Sequence, residues 1–151
     1  MKKLLCSILS ILMLLSLTAC GSKPEPQTVV LTLNQNGTNI DYHLDALDDT
    51  VQMITQTSTV DCSAYSEEDL ALILASAEEY AASYEEIEGV TYSVKTVDTD
   101  LVETIVIDTT NSDSLKQLSD SGLLPIEGSA DTISLEKTIA NLEELGMTIK
   151  E

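Results

Sequence analysis

Three cysteines, one histidine and 26 acidic residues are the first groups in this 151-residue chain to weigh for acting on a substrate or holding an ion. The cysteines divide by position. Cys20 ends the tetrapeptide Leu17-Thr18-Ala19-Cys20, behind an apolar run at 4–17 and the basic pair Lys2 and Lys3. A positive start, an apolar middle and small residues before the cut are the parts of an export signal. The run is too short to favour a spanning helix, which needs about 20 apolar residues. A cysteine directly after the cut adds a specific reaction. Its thiol forms a thioether to diacylglycerol, and cleavage before it leaves the acylated cysteine as the first residue of the mature chain. The pattern predicts a signal peptide over 1–19 and a lipid anchor, palmitate included, on Cys20. A plain secretory signal or an uncut anchor is the competing reading. Two acyl chains hold stably where one is marginal, because each buried CH₂ contributes about 0.8 kcal/mol.

Cys6 leaves with the signal and Cys20 is acylated, so Cys62 stands alone and no intrachain disulfide is available to the mature protein. Cys62 and His43 are the only candidates for a thiol–imidazole dyad, and nothing in their spacing fixes such a pair. A lone cysteine and a lone histidine are far more often structural. A metal is the better chemical idea. Asp41, His43 and Asp45 alternate, so on a strand all three point to one face. Their Cα spacing of about 7 Å is wide for one ion unless the side chains converge. The acidic turns Asp48-Asp49 and Asp98-Thr99-Asp100 can take Ca²⁺ weakly, but neither has the order of an EF-hand loop. Asp also suits turn geometry without any ion. No pair of carboxylates is set apart by spacing or apolar surroundings, as general acid–base work requires.

Charge narrows the partners. Without 1–19 the chain keeps five lysines against 26 acids, a formal charge of −21. Such a charge favours solubility and repels nucleic acid and anionic lipid surfaces. It leaves cationic peptides, divalent cations and another envelope protein as partners, besides the membrane reached through Cys20, and it excludes nucleic acid. The folded part must be held by its core. About 125 residues suffice for one domain burying roughly two-thirds of its unfolded surface. With no Trp and no Phe, that core falls to Leu, Ile, Val and Tyr.

Those side chains must be positioned by the elements around them. Residues 20–27, with Pro24 and Pro26, form a flexible spacer, and a single domain follows over 28–151. Residues 28–35 and 38–45 both alternate around Asn36-Gly37, the preferred pair for a two-residue hairpin turn. That turn sets Leu33 against Ile40, Leu31 against Tyr42 and Val29 against Leu44 on one face. A second turn at Asp48-Asp49 leads to a third alternating run at 51–59. Continuing its register without interruption places Leu44 beside Met53 and Ala46 beside Val51. On the other face it gives a short row, Val30–His43–Ile54, a candidate surface for a partner. Residues 60–65 read as a loop or a ragged strand end.

Ser66 caps a helix with three acids in its first turn. Leu70, Ile73, Leu74, Ala77, Ala81 and Tyr84 recur on one stripe, which predicts a core-facing helix. Two strands follow over 90–97 and 101–108. A tip at Thr99-Asp100 pairs Val94 with Ile105, Tyr92 with Ile107 and Val97 with Val102. Asn111-Ser112-Asp113 caps a short helix over 114–119, and 123–126 is an apolar connector over the core edge. Ser134 caps a last helix with Leu135, Ile139 and Leu142 inward, and Gly146 ends it. Residues 147–149 can add an edge strand. The sum is an α+β fold of about five to six strands, in the order βββαββααβ, with a mostly antiparallel sheet and helices on one face.

The chain resembles the YehR-like lipoproteins, a family of small bacterial lipoproteins of uncharacterised function. The resemblance covers 29–149. It rests on Asn36-Gly37-Thr38 with Ile40, on Tyr84 with Ile87-Glu88-Gly89-Val90, on Asp98, on Ile107-Asp108, and on the closing Leu142 and Gly146. Order and spacing carry it, since no single motif is specific. It implies one α+β domain behind a lipid anchor and supplies no catalytic residues beyond the lipid site at Cys20. Tyr42-His43-Leu44-Asp45 departs from the family pattern, which argues against a family-wide role for His43.

The expected function is a membrane-anchored, extracytoplasmic lipoprotein whose acidic domain is a non-enzymatic binding module, with no cofactor. A divalent-cation-binding lipoprotein is the alternative. A small hydrolase using carboxylates or Cys62 is a further one, and it would need a cleft that this length leaves little room for.

Overall fold

The computed structural model describes residues 24–120 and 131–150. Among the described residues, seven strands form one antiparallel sheet in the order β4-β5-β3-β2-β1-β7, with β6 also on β3. The chain runs β1 (Pro26–Gln35), β2 (Thr38–Leu47), β3 (Thr50–Asp61), α1 (Glu67–Glu85), β4 (Val90–Val97), β5 (Asp100–Asp108), α2 (Ser112–Asp120), β6 (Ile133–Ser134), α3 (Leu135–Glu144) and β7 (Thr148–Ile149). This is the α+β class expected, with helices on one face.

The first hairpin has the register its turn dictates. Asn36 and Gly37 both take positive φ, 52° and 80°, and Val29, Leu31 and Leu33 pair with Leu44, Tyr42 and Ile40. Leu31 and Leu44 are wholly buried on the inner face. The Asp48-Asp49 turn also forms, with Ala46 beside Val51. One step on, the register shifts between Asp45 and Ala46, so that Met53 pairs with Asp45 and Ile54 with Leu44. A bulge adds one residue to one strand and turns every later side chain to the other face. The expected Leu44–Met53 neighbour is therefore replaced by Leu44–Ile54. Beyond the bulge β3 stays regular to Asp61, so the loop expected over 60–65 begins at Cys62.

The β4–β5 register also differs from the expected one, by two residues. The tip is Asp98-Thr99, not Thr99-Asp100, because Asp98 adopts the left-handed conformation (φ 54°) that a two-residue turn needs. Tyr92 then pairs with Ile105, Val90 with Ile107 and Val94 with Glu103. A shift of two preserves the faces.

The core lies at one end of the inner face. Leu31, Leu44, Ala46, Val51, Ile54 and Ile107 from the sheet meet Ile87, Leu118 of α2, Leu135 and Leu142 of α3, and Met147. α2 begins at Ser112, two residues before the expected start, its cap being Asn111, whose Oδ1 accepts from the N–H groups of Asp113 and Ser114 at 3.0 and 3.2 Å. Ser134 caps α3, its hydroxyl accepting from the Lys137 N–H at 3.3 Å. The same residue closes the two-residue strand β6, an element the sequence did not announce, which pairs with Thr50 and Val51. Asp49 completes this junction by accepting from the Glu136 N–H at 2.8 Å and from the Ser134 hydroxyl at 2.7 Å.

α1 is the main departure. Ser66 caps it, accepting from the Asp69 N–H at 3.2 Å. Yet every residue of the expected core stripe, from Leu70 to Tyr84, is only half-buried, and Leu72 and Tyr80 are each 64% exposed. The helix packs chiefly on β4, the edge strand, so it leans on the sheet margin and not on the core. The apolar connector at 123–126 lies outside the described residues.

Candidate functional site

The proposed partner row does not exist as a row. Val30 and His43 are paired neighbours on the outer face, with Val30 half-buried and His43 exposed. Ile54 is 3% exposed and sits opposite Leu44 on the inner face. The bulge explains the correction, since an uninterrupted register would have kept Ile54 beside His43.

Asp41, His43 and Asp45 do share the outer face, but they do not converge. Asp45 accepts the Thr28 hydroxyl at 2.5 Å, and Asp41 Oδ2 lies 3.8 Å from the Lys150 ammonium. The Thr32 side chain beside it holds the Asp41 carboxyl below the usual carboxylate range, against the opposing effect of burial. Thr32 donates to Asn39 Oδ1 at 3.2 Å, and Asp41 Oδ1 is buried without a donor. Among the described residues no three His, Cys, Asp or Glu side chains are grouped to hold a metal. Asp48 and Asp98 take positive φ in their turns, which is the backbone role of Asp there. Cys62 is buried just past β3, its N–H bonded to Thr99 O at 3.0 Å. His43 pairs with Thr55, so Cys62 lies seven residues farther along that strand, about 23 Å at 3.3 Å per residue. The two form no dyad. Cys20 lies outside the described residues.

What the tertiary structure assembles is a polar and aromatic patch on the inner face, between the core and α1. Tyr42 Oη donates to Gln56 Oε1 at 2.6 Å, and Gln56 Nε2 donates to Ser58 Oγ at 3.3 Å. One strand over, Ser58 pairs with Glu103, whose Oε1 accepts from Tyr92 Oη at 2.6 Å. Tyr84 of α1 stacks on Tyr92, ring centroids 5.5 Å apart and planes within 8°, a contact worth roughly 0.5–1.5 kcal/mol beyond its area. Burial pushes the Tyr42 phenol up, as it does those of Tyr84 and Tyr92; Glu103 adds to the last two, through its charge at both and its hydrogen bond at Tyr92. All three stay protonated at neutral pH, and Tyr42 and Tyr92 donate their hydroxyl protons inside the patch, to Gln56 and Glu103. Sequence reasoning missed the patch because its members come from five elements, β2, β3, α1, β4 and β5. The available signal was Gln56 and Ser58, polar residues in phase with buried Ile54 once the bulge is allowed for.

Two open concavities adjoin the sheet ends. One, of about 430 Å³, lies by the first hairpin tip and is lined by Asn39, Thr59, Asp61 and Asp100 among others. There Asp61 is held below the usual range by the Ser63 side chain and N–H. No helix among the described residues is long and apolar enough to cross a membrane.

A meander of antiparallel strands with helices on one face and a half-covered patch beside them defines a small α+β domain. The chain belongs to a family described as a protein of unknown function, DUF1307, whose model matches residues 27–148. Two solved structures are similar to it. The NMR structure of YehR from E. coli has 20% identity and a TM-score of 0.63, over 83% of this chain and 91% of that one. The NMR structure of a protein from Streptococcus pneumoniae TIGR4 has 18% identity and a TM-score of 0.59, over 87% and 88%. At these identities they show the fold, which is YehR-like. No curated protein matches the chain.

Proposed function

We propose that this protein is a lipid-anchored binding module on the extracytoplasmic side of the cell membrane, without enzymatic activity. The tetrapeptide Leu17-Thr18-Ala19-Cys20 supports the anchor. The mature charge of −21 keeps the domain away from anionic headgroups.

The observation that carries the binding reading is the incomplete burial of α1. A 19-residue helix with an apolar stripe ordinarily buries that stripe, and this one leaves every stripe residue half-exposed next to a tyrosine-rich patch. Apolar surface left open and rimmed by polar groups marks an interaction site.

The test is labelling of the full chain in a bacterial host with tagged palmitate, followed by protease treatment of spheroplasts. The label is expected in the membrane-bound chain and lost in Cys20→Ala, with the domain cleaved from outside. An unlabelled chain, or one protected from external protease, sinks the reading.

A further inference from the structure

The free edge of β4 offers a more specific surface. Among the described residues β4 is the terminal strand of the sheet, paired on one side only. The Asp108 N–H donates to Gly89 O at 2.8 Å, and Val97 flanks the turn opposite Asp100. In an antiparallel pair, residues alternate between bonding their partner and facing away. The odd-numbered residues of β4 therefore direct their backbone groups to β5, and Val90, Tyr92, Val94 and Thr96 direct theirs to the open edge. The Val90 N–H is taken by Ile87 O at 3.2 Å. Tyr92, Val94 and Thr96 keep both groups for an incoming chain. Their side chains lie on the inner face, the face that α1 overlies.

Edge strands invite pairing, and proteins ordinarily blunt them with bulges, prolines, charges or a covering element. β4 runs regular for eight residues with neither proline nor bulge, and Lys95 is its one charge. We propose that β4 and the half-buried stripe of α1 together accept an extended, basic peptide segment as an additional strand. This rests on the binding-module reading above and names its ligand class. Main-chain hydrogen bonds to Tyr92, Val94 and Thr96 give the pairing, and alternate side chains of the incoming strand pack against the stripe of α1. Charge selects the partner. α1, which packs on β4, contains no basic residue, and Glu78 and Glu79 on it and Glu86 and Glu88 on the turn into β4 are exposed. A second copy of this chain brings the same negative charge to the same place, whereas lysine or arginine side chains complement it.

The test uses the full chain in a non-ionic detergent, titrated with a fluorescent ten-residue peptide of alternating lysine and valine. The control is the same peptide N-methylated along its backbone, which keeps charge and side chains and removes the donors. Saturable binding is expected, weakened at least tenfold by methylation and by Val94→Pro or Thr96→Pro, each of which removes an edge N–H while leaving the β5 ladder intact. Equal binding of the methylated peptide means simple charge attraction and overturns the proposal. So does undiminished binding by a proline variant with an unchanged circular dichroism spectrum, or no binding at all. A dimer in sedimentation that the proline variants abolish assigns the edge to a second copy and also overturns it. None of these outcomes affects palmitate labelling at Cys20, so the anchor stands or falls separately.

Discussion

Thr109 holds Val51 across 58 residues of chain, its hydroxyl donating to the Val51 carbonyl at 2.6 Å. Its N–H donates in turn to the carbonyl of Gln52 at 3.0 Å. Both acceptors sit at the bulge, where the β2–β3 ladder is interrupted, and Thr109 is 2% exposed. A residue just past β5 thus ties the end of that strand to the bulged segment of β3.

Thr109→Val keeps the shape of the side chain and removes the donor. The Val51 carbonyl keeps its place opposite Ile133 of β6 but loses the hydroxyl's bond, at a cost of about 0.5–1.5 kcal/mol. Chemical denaturation should show a lower midpoint at an unchanged slope. A variant as stable as the parent would show that the bulge needs no hydroxyl.

Gly89 joins the α1 region to β4 with φ at +78°, and an added Cβ would meet the Asp108 Cβ at 3.3 Å. Gly89→Ala should destabilise by about 1–2 kcal/mol from the left-handed backbone alone, with the close contact adding to it. The melting temperature measures it. The same substitution at Gly37, whose Cβ would meet nothing within 4 Å, carries the backbone term only and should be milder.

Stability should fall in acid. Asp49, Asp61 and Asp108 are each held below the usual carboxylate range by hydrogen bonds, chiefly from the Glu136 N–H, the Ser63 side chain and the Thr110 hydroxyl respectively, and Asp41 by Thr32. A carboxylate with a depressed folded-state pKa stabilises above its unfolded value and loses that contribution as the pH falls through the folded one. The loss therefore begins near pH 4 and deepens below it. Between pH 7 and 5 the opposite trend is expected, because protonation relieves the self-repulsion of a chain at −19 overall. A melting curve series should pass through a maximum near pH 5, and Asp49→Asn should flatten its acid limb. A monotonic profile contradicts this.

Cys62 is 3% exposed and should react with a thiol reagent no faster than the domain opens. The labelling rate should follow denaturant concentration along the unfolding curve. Fast labelling of the native protein would mean that the β3 end opens locally.

Some of this molecule is legible from its sequence because the deciding interactions are local. Asn36-Gly37 fixes the first hairpin, since both residues tolerate positive φ and the turn leaves one register open. Ser66, Asn111 and Ser134 start their helices because each side chain reaches an amide within three residues. The lipid box at Leu17-Thr18-Ala19-Cys20 is local in the same sense. Other features depend on distant partners. At the Asp45–Ala46 register shift Thr109 bonds Val51 and Gln52 from far along the chain, and with that shift moved Met53, Ile54, the lost row beside His43, and the inner placement of Gln56 and Ser58. The strand at Ile133-Ser134 exists because Thr50 and Val51 are there to pair with it. The stripe on α1 has a period that the sequence states clearly, but period says only that one face is apolar. Which surface that face meets, and how much of it is covered, was decided by the edge position of β4. Burial is a property of neighbours, and neighbours are set by the whole chain.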